Sequence, residues 1–194
     1  MQRAADVAIA GAALVLTSPL LAVAAVAVKL EDRGPVFYRQ VRVGKDGEDF
    51  ELFKLRTMVV GAERIGAGYA IDRGDSRITR TGRLLRRLSI DELPQLWNVV
   101  RGDMSVIGPR PTLRYQVDQY DERQRHRLDV KPGITGWAQI HGRARLSWAE
   151  RIELDLWYVE HRSALVDLKI LLRTPRALFG GTYKGETGGW KPTQ

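Results

Sequence analysis

A chain of 194 residues can bury one hydrophobic core but hardly two independent domains. Its net charge of +8 and pI near 10.0 point to anionic partners: phosphorylated small molecules, nucleic acid or an anionic membrane surface. The absence of cysteine excludes disulfides, thiolate metal sites and thiol nucleophiles, and His126, His141 and His161 show no metal-ligand spacing such as HExxH.

The first element decides which partner matters. From Val7 to Val28 the stretch VAIAGAALVLTSPLLAVAAVAV carries no charge; at ~1.5 Å per residue it makes a helix of roughly 33 Å, about one hydrocarbon thickness. It reads as a membrane segment. A signal peptide is the competing reading, supported by the Ala-rich spacing near Val23 to Val28; the length of the apolar run and the lack of a disulfide pattern oppose it. Pro19 removes a backbone donor and crowds the carbonyl of Val15, so a bend is expected there. The hydroxyls of Thr17 and Ser18 can serve the freed carbonyl. A kinked spanning helix and a re-entrant hairpin both satisfy these constraints, and Arg3 on one flank with Lys29 and Arg33 on the other leaves the orientation open.

Period-two patterning follows. Val36 to Val43 and Phe50 to Thr57 read as strands joined at Asp46-Gly47. Lys54 and Arg56 fall on one face of the second strand, either as a phosphate-binding pair or as a salt-bridged edge. Gly61 to Gly82, rich in glycine and charge, reads as a long, partly mobile loop over a site.

In LLRRLSIDELPQLWN, Leu84 to Asn98, Pro94 suits a first helical position and biases Leu93 away from helical geometry. The spacing predicts a helix from about Pro94 to Arg101, stopped by Gly102. Asp91 and Glu92 then lie at its mouth, where the dipole favours their ionised forms; Ser89 with Glu92 also fits a capping box. Arg86 and Arg87 precede the pair. Pro109 and Pro111 hold Arg110 on a stiff, extended segment, where a guanidinium makes a bidentate clamp for phosphate oxygens. Carboxylates able to bind a metal or attack phosphorus, ringed by phosphate-binding cations, describe a phosphoryl-transfer site.

The C-terminal third suits a protein lying on a membrane. Trp148, Ile152, Leu156 and Val159 recur at helical spacing, with Trp157 and Tyr158 beside them, and ALVDLKILLRTPRALF is a second amphipathic run. Such faces pack into a core or rest at the headgroups. Lys131 to Arg143 is a Gly/Pro-punctuated turn segment, with Arg143 a candidate nucleotide contact.

The segments DRGPVFYRQVRVG, FKLRTM, DSRITRTGRLLRRLSIDELPQLWNVVRGDMSVIGPRP, VKPGITGWAQIHGR and LDLWYVEHRSALVDLKILLRT together resemble the bacterial sugar transferase family, monotopic phosphoglycosyl transferases acting on polyprenyl phosphate. The likeness covers nearly the whole chain in order and matches the family's minimal catalytic form. It implies an α/β (α+β) fold in one monotopic domain. A re-entrant membrane helix and its flank would occupy residues 1–33. The cytoplasmic catalytic domain, a small β-hairpin with amphipathic interfacial helices, would occupy 34–194. The implied reaction moves a sugar phosphate from a nucleotide diphosphate sugar, with uridine the expected base, to undecaprenyl phosphate at the cytoplasmic membrane of a bacterium, releasing the nucleoside monophosphate; nucleic acid is not an expected partner. By the same resemblance Asp91 matches the nucleophile and Glu92 the partner that holds Mg²⁺. Arg86, Arg110 and Pro109 fall on phosphate- and nucleotide-binding positions, Lys54 is a looser match, and Ser18 and Pro19 fall on the motif that makes the helix re-entrant. Ile90 stands where the family usually has leucine. Two other classes remain: a membrane-tethered basic module for anionic lipid or nucleic acid, which has no use for Asp91 and Glu92, and a structural anchor, which needs neither acid nor metal.

Overall fold

A computed structural model of the chain describes residues 2–65, 74–142 and 145–179. It opens on α1, Gln2–Asp32, one helix that runs through Pro19. The Thr17 hydroxyl donates to Ala13 O at 2.7 Å and the Ser18 hydroxyl to Val15 O at 2.8 Å. The carbonyl that Pro19 deprives of its donor is therefore served within the same turn, as the sequence predicts. Only 11% of the most apolar window of α1 is buried, and Val15 and Leu16 are 73% and 80% exposed. A core helix of a water-soluble domain buries such residues; this one leaves them exposed, the pattern of a membrane-associated helix.

Both ends of α1 are nevertheless fastened to the rest of the fold. Near the start, Ala10 is fully buried, Asp6 accepts from the Ser105 hydroxyl and from Val106 N at 3.0 Å, and Arg3 donates to the carbonyls of Val99 and Val100. Near the finish, Ala24 and Val28 are buried, Asp32 is forked by the Arg56 guanidinium, and Glu31 accepts from Arg80 N at 2.7 Å and Thr81 N at 3.1 Å. The cation thus caps carbonyls at the end of one helix and the carboxylate caps amides at the start of another.

Strands β1, Phe37–Val43, and β2, Asp49–Leu55, pair antiparallel with Tyr38 opposite Lys54 and Arg42 opposite Phe50. The turn at Asp46 (φ 55°) and Gly47 (φ 81°) uses two successive left-handed residues, the demand that selects Asp-Gly in tight hairpins. Arg56 lies beyond the strand and goes to Asp32, so it does not pair with Lys54 as a phosphate site. The predicted loop is shorter than expected: residues 66–73 lie outside the described residues, and α2, Arg80–Arg87, starts before Gly82, capped by Thr79.

Helix α3, Gln95–Arg101, ends at Gly102 with φ 102°, as predicted. Strand β3, Ser105–Ile107, then pairs in parallel with β4, Gly133–Thr135. The sequence pattern predicts neither strand: Gly133–Thr135 falls in the turn segment Lys131 to Arg143, and Ser105–Ile107 precedes the extended Pro109–Pro111 segment. Between them lie the short helices α4, Arg114–Val117, and α5, Glu122–Arg125. Helices α6, Trp137–His141, α7, Trp148–Glu160, and α8, Ala164–Phe179, complete the described chain. One core gathers Ala10, Leu52, Val99, Met104, Trp137, Tyr158 and Ile170, joining α1 to the hairpin and the C-terminal helices. Tyr158, for which the sequence leaves both a core and a headgroup position open, is 1% exposed and donates to Asp167 at 2.8 Å. Trp157 stacks on Trp137 with ring centroids 4.4 Å apart. By contrast Leu165, Leu168 and Leu172 leave an apolar stripe of α8 exposed, an amphipathic helix of the interfacial kind.

Candidate active site

Four segments build the site of Asp91 and Glu92. The first is the hairpin, whose pleat points Tyr38, Gln40, Arg42 and Lys54 toward one face. Asn98, fully buried on α3, accepts from Phe53 N at 3.0 Å and donates to Glu51 O at 2.6 Å. Those bonds fix β2 against α3, and with it Lys54 against the turn that precedes α3.

The second segment is α2. A Cβ on Gly82 would lie 2.0 Å from Thr57 O, so only glycine lets the helix come this close to the end of the hairpin. One turn on, Arg86 Nε donates to the Thr57 hydroxyl at 2.7 Å, and the guanidinium lies near enough to act on the charge of Asp91.

The third is the turn itself, a 3-10 turn at Ile90–Glu92 preceded by Ser89 at φ 56°. The expected capping box is absent because Ser89 is left-handed and its side chain caps nothing. Leu93, expected to leave the helical region before proline, keeps it at φ −57°, ψ −35°, and Pro94 follows as the N-cap of α3. A serine in the left-handed region costs about 1 kcal/mol. Such local strain persists where packing over-determines it, commonly beside functional groups.

The two carboxylates have opposite electrostatics. Asp91 is 7% exposed. Burial first, and the adjacent Glu92 second, push its carboxyl up to about 6, while Lys54, Arg86 and Arg110 oppose the rise. Burial also works against the Glu92 anion, but the charges of Arg110 and Lys54 overcome it and hold its carboxyl well below the usual range. Lys54 Nζ lies 3.2 Å from Glu92 Oε1, and Arg110 forks both carboxylate oxygens. The dipole argument, which expected both acids to be favoured as anions, therefore holds in sign for Glu92 only; for Asp91 desolvation wins.

The fourth segment carries Arg110 and is held by its carbonyls. Pro109 O accepts from Gly133 N at 2.8 Å, and Thr112 O from Val43 N at 2.9 Å. Arg110 O accepts from Arg127 at 2.6 Å, and Pro111 O from Arg42 at 3.3 Å. Prolines cannot donate, so a Pro-Arg-Pro segment is best anchored this way. Pro109 stands behind the clamp, lining a small cavity with Arg110 and Arg127.

The structure thus brings together Lys54, Arg86, Asp91, Glu92 and Arg110. Ser18 and Pro19 lie apart in α1, and Arg143 lies outside the described residues. Arg42 was missed. Its guanidinium is held by Gln40 Oε1 at 2.6 Å, and burial, then the charge of Arg110, lower its pKa to about 10. Period-two alternation in FYRQVRV, paired in register with Lys54, is the signal that could have found it. Four cations, Arg42, Lys54, Arg86 and Arg110, surround two carboxylates, which leaves room in charge for a phosphorylated ligand. Among the described residues no group of three or more acidic or histidine side chains gathers. One or two adjacent carboxylates are nonetheless the donors that Mg²⁺ takes from protein when it is shared with substrate phosphates, so Asp91 and Glu92 fit that role.

The profile of the bacterial sugar transferase family matches residues 1–181. The chain is 48% identical over 179 residues to the uncharacterized sugar transferase EpsL of Bacillus subtilis, covering 92% of this chain and 87% of that protein. It is 44% identical over 187 residues to the UDP-N-acetylgalactosamine-undecaprenyl-phosphate N-acetylgalactosaminephosphotransferase of Aeromonas hydrophila, covering 93% of this chain and 44% of that protein. It is 45% identical over 186 residues to the UDP-glucose:undecaprenyl-phosphate glucose-1-phosphate transferase of Caulobacter vibrioides, covering 92% and 69%.

Proposed function

Since the chain belongs to the bacterial sugar transferase family, we propose that it transfers a sugar 1-phosphate from a UDP-sugar to undecaprenyl phosphate. The observation that carries the reading is the division of labour between the neighbouring acids: Glu92 is pinned as an anion by Lys54 and Arg110, while Asp91 is buried and made more basic. A site that merely bound anions would gain nothing from a desolvated carboxylate among its cations.

Asp91 is the nucleophile in this reading. One of its oxygens attacks the sugar-bearing phosphorus; that O–P bond forms as the P–O bond to the nucleotide breaks, and UMP leaves. The phosphate of undecaprenyl phosphate then attacks the aspartyl phosphate, making undecaprenyl diphosphate sugar and returning the carboxylate. A carboxylate of elevated pKa is ionised at neutral pH and is a stronger nucleophile than an ordinary one. Arg110 and Arg86 hold the phosphate oxygens, and Lys54 keeps Glu92 oriented. Glu92 would hold Mg²⁺, which when bound would supply positive charge against the repulsion between the attacking carboxylate and the donor's phosphates.

The membrane segment serves positioning. That Arg3 and Asp6 at one end of α1, and Glu31 and Asp32 at the other, bind the same folded unit supports a reading in which both ends lie on one membrane face. In that reading the helix is re-entrant, and the face is the cytoplasmic one, where nucleotide sugars reside. The test is UMP release from UDP-glucose or UDP-N-acetylgalactosamine with Mg²⁺ and undecaprenyl phosphate. Lipid-linked sugar and UMP in equal amounts are expected; consumption of neither donor overturns the reading.

A further inference from the structure

We propose that Arg127, neutralised by Asp155 inside the fold, is a positioning residue for Arg110. The inference rests on the functional reading above, in which Arg110 grips the donor.

Arg127 and Asp155 are 5% and 1% exposed, and Arg127 Nε donates to Asp155 Oδ2 at 2.7 Å. A core staple would end there. Arg127 instead spends the rest of its fork on the segment that carries the clamp. Its NH2 group donates to Arg110 O at 2.6 Å, and its NH1 group to the Thr112 hydroxyl at 3.2 Å and the Tyr120 hydroxyl at 2.7 Å. It therefore holds the residues on both sides of Pro111, and a planar guanidinium transmits orientation as well as distance. The flanking Pro109, Pro111 and Thr112 are buried, and the carbonyl of Arg110 between them is the one that accepts from Arg127. The Arg110 side chain is itself half-exposed, so its aim at Glu92 depends on where its backbone is set. Asp155 belongs to α7, so the clamp takes its position from the C-terminal helices, and Asp155 acts on Arg110 only through Arg127.

Removing one partner of a buried pair leaves an uncompensated charge and risks the fold, whereas replacing both by apolar residues is often tolerated. The test is therefore the double variant Arg127→Met/Asp155→Leu of the full chain, with Arg127→Lys beside it. Lysine can still neutralise Asp155 but cannot reach Arg110 O, Thr112 and Tyr120 together. With a melting temperature within a few degrees of wild type, the double variant should show kcat/KM for the UDP-sugar reduced at least tenfold. Adding Arg110→Ala to it should cost no more than Arg110→Ala alone plus a factor of about two, because the clamp is already misplaced. Hydrogen exchange gives a readout that needs no turnover: peptides spanning 108–113 should exchange faster in the double variant while those of α7 keep their protection. Wild-type turnover in a folded double variant, fully multiplicative losses in the triple, or loosening of α7 to the same degree each overturn the inference. If the wild-type chain consumes neither UDP-sugar, the functional reading fails, and exchange alone decides the role of Arg127. If the double variant does not fold, Arg127→Lys decides: normal kcat/KM in it overturns the inference, and a tenfold loss with α7 protected supports it.

Discussion

The carboxylate of Asp6 accepts from the Ser105 hydroxyl at 2.9 Å across 99 residues of chain, which places the entry of the membrane helix on the strand that leads into the Arg110 segment. The exit is tied by Asp32 to Arg56. With no native cysteine, single cysteines at Gln2 and Lys29 can be labelled by an impermeant reagent in sealed vesicles. Both should react from the same side, and reaction from opposite sides would sink the re-entrant topology. Asp6→Ala should destabilise the domain by about 1–3 kcal/mol, since it orphans the Ser105 hydroxyl and Val106 N. Replacing Ser18 and Pro19 by alanine and leucine should shift labelling toward a spanning arrangement.

Asp91 and Glu92 should affect stability in opposite directions. Burial and Glu92 raise the folded pKa of Asp91 to about 6 from 3.8. Its contribution to stability is therefore fully present below pH 3.8 and is lost as pH rises through about 6. Asp91→Asn removes that penalty, so it should be more stable than wild type at pH 7 by about 1–3 kcal/mol, with the difference shrinking toward pH 4. Glu92 contributes stability above 4.5 that is lost as pH falls through its depressed folded value. Glu92→Gln deprives Lys54 and Arg110 of the carboxylate they hydrogen-bond and should cost about 1–3 kcal/mol at pH 7. Denaturant melts of the two variants across pH 4 to 8 check both signs; stabilisation by Glu92→Gln would reverse the assignment.

What the sequence conveyed was mostly local. The Asp46-Gly47 hairpin, the Gly102 stop of α3 and the hydroxyl service around Pro19 each depend on neighbours within a few residues. The parallel pairing of β3 with β4 was hidden because three-residue strands joined across a long connection carry no period. The start of α2 was read as loop because its glycine and charges mimic one; Gly82 is there for its approach to Thr57. Tyr158 shares its spacing with interfacial aromatics, and only the Asp167 carboxylate reveals it as core. The acids and their cations stood out as a group, but the sign for Asp91 could not, because its desolvation is made by β2, α2 and the Arg110 segment together.

Gly82 offers a test of how tightly α2 must dock. An added Cβ would overlap Thr57 O, and the helix must retreat or the hairpin end must move. Gly82→Ala should lower stability by about 2–4 kcal/mol and reduce turnover beyond what the melting change explains, because Arg86 withdraws with the helix. Raising the donor concentration should recover part of the loss. An alanine variant with unchanged kinetics and melting would mean that Arg86 does not depend on this contact.

The order of bond making decides the mechanism. If Asp91 is the nucleophile, enzyme mixed with UDP-sugar and Mg²⁺ but no lipid should release about one equivalent of UMP and retain the sugar phosphate on Asp91. Asp91→Asn should abolish both signals while the protein still binds donor. Glu92→Gln should raise the Mg²⁺ concentration needed and slow the burst, since an amide is a poor ligand for a hard cation. At donor concentrations well below saturation the burst rate should rise with pH through about 6 and then level, because the attacking group must be ionised and its carboxyl titrates there in the free site. Chelation of the metal should suppress the burst without unfolding the domain. The competing order is direct attack by the lipid phosphate, with both acids serving the metal; it requires UMP release that depends strictly on the lipid and leaves no adduct. Rapid-quench measurement of UMP together with intact-mass analysis separates the two, and a burst with its adduct on any residue other than Asp91 removes Asp91 from the role.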